Sequence, residues 1–92
     1  MELKLLLEKI AEKYVEKDKK SGELFLLAVL MEEVGELAEV VRKGNKEEIE
    51  EELADVAFVV FSIANLFGVD IENKLVEKYL KNDPSDKWDL RW

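Results

Sequence analysis

Two short acidic motifs carry the chemistry that this sequence could do. Glu33 and Glu36 form an E-x-x-E pair within MEEVGELAEV, and Glu52 and Asp55 form an E-x-x-D pair within EEELADVAF. The chain has no histidine and no cysteine, which removes thiolate and imidazole metal ligands and the side chain that ordinarily titrates near neutral pH. A metal held here would be held by oxygen, which suits hard cations such as Mg²⁺ or Mn²⁺ rather than zinc or copper. The i, i+3 spacing sets both carboxylates of a motif on one helix face, about 60° apart. The motifs are also mirror images about Gly44. Glu36 and Glu52 lie eight residues from it on either side, Glu33 and Asp55 eleven.

The elements that must position these acids are helices. The only proline is Pro84, and the long stretches between the four glycines have helical periodicity. Helix 1 is expected over about 2–19, with a stripe of Leu3, Leu6, Leu7, Ile10, Ala11 and Tyr14. A polar break over 17–22 follows, with Ser21 as the N-cap of a second helix that runs to about Lys43 and stops at Gly44. Asn45 then caps a third helix, with Glu48 three residues on and further acids in the first turn where the helix dipole favours them. That helix ends at Gly68, and Asp70 caps a fourth that runs to about Lys81. Helices 2 and 3 are joined so tightly that they must form an antiparallel hairpin, in which residues equally far from the turn share a height. If the two acidic faces turn towards each other, four carboxylates surround one small volume in two tiers about 4.5 Å apart.

The plainer reading of acidic residues is a solvated face, and it suits Glu47, Glu48, Glu50 and Glu51. Asp55 resists it. LADVAFVVFSIANLF, residues 53–67, is apolar all round a helix and has Asp55 as its only charge. Burial is therefore expected there, and a buried carboxylate must be paired, protonated or bound to a metal. The acids nearest in height are Glu33 and Glu36, whereas Arg42 and Lys43 lie too close to the turn, so clustered acids without cations point to a divalent metal. Glu32 and Glu39 are second choices as ligands. Gly35, in mid-helix, either permits close helix packing or leaves room for a ligand.

Length, charge and hydropathy bound the rest. Ninety-two residues are expected to make a single domain spanning 1–92. The formal net charge of −8 opposes binding to bare nucleic acid, whose phosphates need clustered Lys and Arg. The N-terminal stretch is apolar only at helical spacing, so neither a leader nor a membrane span is expected, and the location is read as cytoplasmic. Helix 3 is apolar round its circumference and helices 1 and 4 can cover only part of it, so a neighbouring copy is expected to supply the remainder.

LMEEVGELAEV followed by EEELADVAFVVFSIANLFGVD resembles the all-α nucleoside triphosphate pyrophosphohydrolases of the MazG family, whose E-x-x-E, spacer, E-x-x-D signature falls on Glu33, Glu36, Glu52 and Asp55. KYLKNDPSDKW resembles the family's K-x-x-x-N segment at Lys78 and Asn82. The resemblance implies an all-α bundle of about four helices per chain, with a four-helix core completed by dimerisation and sometimes a tetramer. It implies Mg²⁺-dependent hydrolysis of a nucleoside triphosphate to the monophosphate and pyrophosphate, a house-cleaning role against non-canonical or surplus nucleotides, and the four signature acids as metal ligands. Glu36 or Glu32 would accept the proton of the attacking water. Lys78 and Asn82 would contact the phosphate chain, with Lys81, Lys74 or Arg91 as helpers, and Trp88 and Trp92 either dock on the bundle or a neighbouring chain or stack on a base.

Related all-α enzymes act on dUTP and on phosphoribosyl-ATP. The latter carry a Tyr-His pair after the aspartate where this chain has Ala57-Phe58, which counts against that role. Two non-family readings compete: a di-iron bundle, disfavoured because such sites use E-x-x-H, and a non-catalytic metal-binding dimerisation module.

Overall fold

The computed structural model describes residues 1–82. The chain is all-α: α1 (Leu3–Ser21), α2 (Glu23–Lys43), α3 (Lys46–Phe67) and the short α4 (Ile71–Leu75), which runs on into a π-helical turn (Val76–Leu80). The expected Pro84 stop, Arg91, Trp88 and Trp92 lie outside the described residues.

Local chemistry explains most of the helix ends. Gly44 takes a left-handed conformation (φ 76°, ψ 17°), and its N–H donates to the carbonyls of Val40 and Val41. This closes α2 at a geometry that favours glycine. One residue later the Asn45 Oδ1 accepts from the Glu48 N–H at 3.1 Å, satisfying one of the orphan donors at the start of α3. Asp70 does the same for the Asn73 N–H at 3.0 Å. The break between α1 and α2 is tighter than expected. Ser21 is the last residue of α1, not the cap of α2, and the chain turns at Gly22 alone (φ 87°, ψ 161°). A positive φ at that point is open to glycine and strained for serine, so the cap moves to the residue that can bend.

The antiparallel hairpin of α2 and α3 is the largest contact in the chain, and α1 packs mainly on α3. Leu7 on α1, Leu26 on α2, and Val59 and Ala64 on α3 form the buried apolar centre. Ser62 sits among them at 1% exposure, where a small side chain lets helices approach. Two contacts tie α1 down. Tyr14 meets Phe58 edge to face with ring centroids 5.0 Å apart, and the Asn65 Nδ2 donates to the Leu7 carbonyl at 3.0 Å. At Gly68 the chain turns sharply, so α3 and the Ile71–Leu80 segment are bent by 114°. Among the described residues no single helix is long and apolar enough to cross a membrane.

Candidate metal centre

The hairpin does turn the acidic faces of α2 and α3 towards one another. Glu33, Glu36 and Glu52 each place a carboxylate oxygen within 4.8 Å of the others. Glu33 and Glu52 are half-buried, and Glu36 is exposed. The Oε2 atoms of Glu33 and Glu52 are shut off from solvent, and among the described residues no group outside the carboxylate cluster donates to them. Two ionised acids can only accept, so neither can satisfy the other unless a proton or a cation is shared between them.

The electrostatics follow from that arrangement. The Glu52 carboxyl is pushed up from 4.5 to about 7. Hydrogen bonding with Glu33, which requires Glu52 to keep its proton, is the first cause. Desolvation and the negative charges of Glu33, Glu36 and Asp55 add to it. Among the described residues no basic side chain pairs with the cluster: the ion pairs there are Glu16 with Lys19, Glu39 with Arg42, and Glu77 with Lys74, all on exposed helix surface.

Asp55 departs from expectation. It lies near enough to raise Glu52 but outside the trio of mutually close oxygens, and it is exposed rather than buried. An apolar circumference marks what a helix can bury. Among the described residues only α1 and α2 pack substantially against α3, and they leave Asp55 exposed.

Beside the cluster, Glu32, Gly35, Glu36, Glu39, Val40 and Glu52 line an open cleft of about 430 Å³. Glu32 is thus on the cleft wall, while Glu39 is also engaged with Arg42 at 3.8 Å. Val40 was not legible as a lining residue, although it follows Glu36 by one helical turn. Among the described residues a Cβ at Gly35 would meet nothing within 4 Å, so close packing within that part of the chain does not account for the glycine.

The other expected site residues are not gathered here. From Glu52 to the end of α3 is about 22 Å of helix, and α4 and the π turn, which lie beyond it, contact mainly each other. Lys78 is half-buried, with its Nζ 5.7 Å from the Tyr79 ring centroid. Asn82 donates its Nδ2 to the Glu77 carbonyl at 2.7 Å, and the Lys81 N–H closes the π turn onto the Val76 carbonyl at 3.2 Å. In this structure Asn82 and Lys81 thus terminate a helix, and neither they nor Lys78 join the carboxylates.

An all-α hairpin that presents an oxygen-only ligand set on facing helices is a candidate site for a hard cation. The sequence matches the family model of the MazG nucleotide pyrophosphohydrolase domain over residues 21–85, and the chain belongs to that family. An uncharacterized protein of Acanthamoeba polyphaga mimivirus is 35% identical over 48 residues, a match covering 52% of this chain and 19% of the viral protein.

Proposed function

We propose that the chain hydrolyses nucleoside triphosphates to the monophosphate and pyrophosphate with Mg²⁺, Mn²⁺ being an alternative, and that it clears non-canonical or surplus nucleotides. The observation that carries this reading is the pair of buried oxygens on Glu33 and Glu52, which no group among the described residues outside the carboxylate trio satisfies. A hard divalent cation fits an all-oxygen donor set and would satisfy both atoms. Family membership supports the reaction class.

Glu33, Glu36 and Glu52 would hold the cation, with Asp55 completing the set from the open side. When bound, the ion supplies Lewis-acid polarisation of phosphate oxygens and offsets the repulsion between a polyanion and an acidic cleft. The chain's own residues do the rest. Glu33 and Glu52 fix the buried side of the cluster, and Glu36 faces the cleft. Glu32, exposed on the cleft wall, accepts the proton of the attacking water, a role Glu36 could share. The test is incubation with Mg²⁺ and a panel of ribo- and deoxyribonucleoside triphosphates. Monophosphate and pyrophosphate are expected, whereas orthophosphate and a diphosphate would overturn attack at the α-phosphorus.

A further inference from the structure

Lys78, Lys81 and Asn82 are not gathered at the acidic cleft, which leaves the far end of a triphosphate without its expected contacts. A divalent ion at the carboxylate trio compensates the phosphates that it touches. The rest of the phosphate chain would lie against walls that include Glu32, Glu36, Glu39 and Glu52. Ionised carboxylates accept hydrogen bonds and donate none, so they repel phosphate oxygens. A cation of the protein's own is needed further along the cleft.

Arg42 stands at that place. Its Nη2 meets the Oε1 of Glu39, a residue of the cleft wall, at 3.8 Å, with the arginine side chain 81% exposed and the glutamate 57%. The contact is longer than a hydrogen bond, and an exposed pair three residues apart on a helix is weak. A better acceptor can therefore displace it. Phosphate is such an acceptor, because its oxygens take two parallel N–H bonds from the planar guanidinium fork.

The register along α2 fits the same purpose. Arg42 lies six residues beyond Glu36, about 9 Å of helix. Side chains on a helix lean towards its N-terminus, and here the arginine leans back to Glu39, in the direction of the trio. It is too far along the axis to neutralise the carboxylates. It is well placed to meet the distal phosphates of a chain whose near end sits at the cation.

We propose that Arg42 grips the distal phosphates of the substrate, exchanging the Glu39 carboxylate for phosphate oxygens. The assignment rests on the pyrophosphohydrolase reading above and gives the substrate a direction in the cleft. The α-phosphorus sits at the trio, the β and γ phosphates run along α2 towards Gly44, and the nucleoside is left to the end bearing Glu32 and Gly35. Arg42 thereby selects for chain length, since a triphosphate spans from the trio to the guanidinium and a monophosphate does not.

The test is calorimetric titration of the full chain with inorganic tripolyphosphate in the presence of Mg²⁺. Arg42→Ala should weaken binding by on the order of tenfold, and Arg42→Lys by less, because an ammonium offers a point charge in place of a fork. Affinity for Mg²⁺ alone should stay within about twofold, as should tripolyphosphate binding by Lys46→Ala, which removes the same charge just past the turn. In turnover, Arg42→Ala should relieve inhibition by pyrophosphate and leave inhibition by nucleoside monophosphate unchanged. Unaltered tripolyphosphate binding in Arg42→Ala, an equal loss in Lys46→Ala, or no tripolyphosphate binding by the natural chain would each overturn the assignment. The two readings fail separately. Binding that depends on Arg42 in a chain that hydrolyses no nucleoside triphosphate would remove the proposed activity and keep the grip. Hydrolysis with wild-type binding in Arg42→Ala would do the reverse.

Discussion

Two acidic regions of α3 lie within a turn of each other and have opposite physics. Residues 47–51 contribute Glu47, Glu48, Glu50 and Glu51, all exposed, beginning where the helix dipole favours negative charge and where Asn45 caps the Glu48 N–H. Glu52 is the next residue, yet it is half-buried against Glu33 and keeps its proton up to about pH 7. Sequence composition does not separate these residues. What separates them is an acidic face on the opposing helix and the exclusion of water from between the two.

The largest effects should break that contrast outright. Glu52→Ala and Asp55→Ala are each expected to reduce triphosphate hydrolysis by on the order of 1,000-fold with helical content unchanged, whereas Glu50→Ala should stay within about twofold. Equal losses at Glu50 and Glu52 would erase the distinction between the two regions. Removing divalent metal with a chelator should abolish turnover and lower the melting temperature, and Mg²⁺ should restore both, since a ligand that binds only the folded state stabilises it.

Affinity for Mg²⁺ should then sharpen the contrast through pH. The proton on Glu52 competes with the cation, so affinity should fall up to tenfold per unit below about pH 7 and level off above it. Calorimetry in buffers of different ionisation enthalpy would detect the released proton. Stability of the metal-free protein should run the other way. Between pH 4.5 and about 7 the folded state binds more protons at Glu52 than the unfolded state does, so stability should fall as pH rises through that window. Glu52→Gln should flatten this slope and Glu50→Gln should not. The smallest effect belongs to the outer region: Asn45→Ala should cost about 1 kcal/mol by removing a cap, visible as a lower denaturation midpoint with specific activity retained.

The parts of this molecule governed by neighbours in sequence were readable from sequence. Gly44, Asn45, Gly68 and Asp70 end or start helices where expected, because capping is settled within four residues. The approach of Glu33, Glu36 and Glu52 was also readable, because a short turn converts equal spacing into equal height. What depends on distant cover was not. Asp55 was expected to be buried from the apolar run around it, but that run cannot show which side another helix fills. Ser21 lost its capping role to Gly22 because the bend needs a backbone conformation that serine resists.

The Asn65 amide reaches back to the Leu7 carbonyl across 58 positions of chain, while the α2–α3 hairpin closes through a turn of two residues, Gly44 and Asn45. Loop closure makes those two events unequal in time: the hairpin can assemble from local contacts, and α1 must be recruited at greater entropic cost. Substitutions at the hairpin turn are therefore expected to slow folding, and loss of the Asn65 amide chiefly to hasten unfolding. In this picture the acidic centre is gathered early in folding, before α1 locks α3 beneath it.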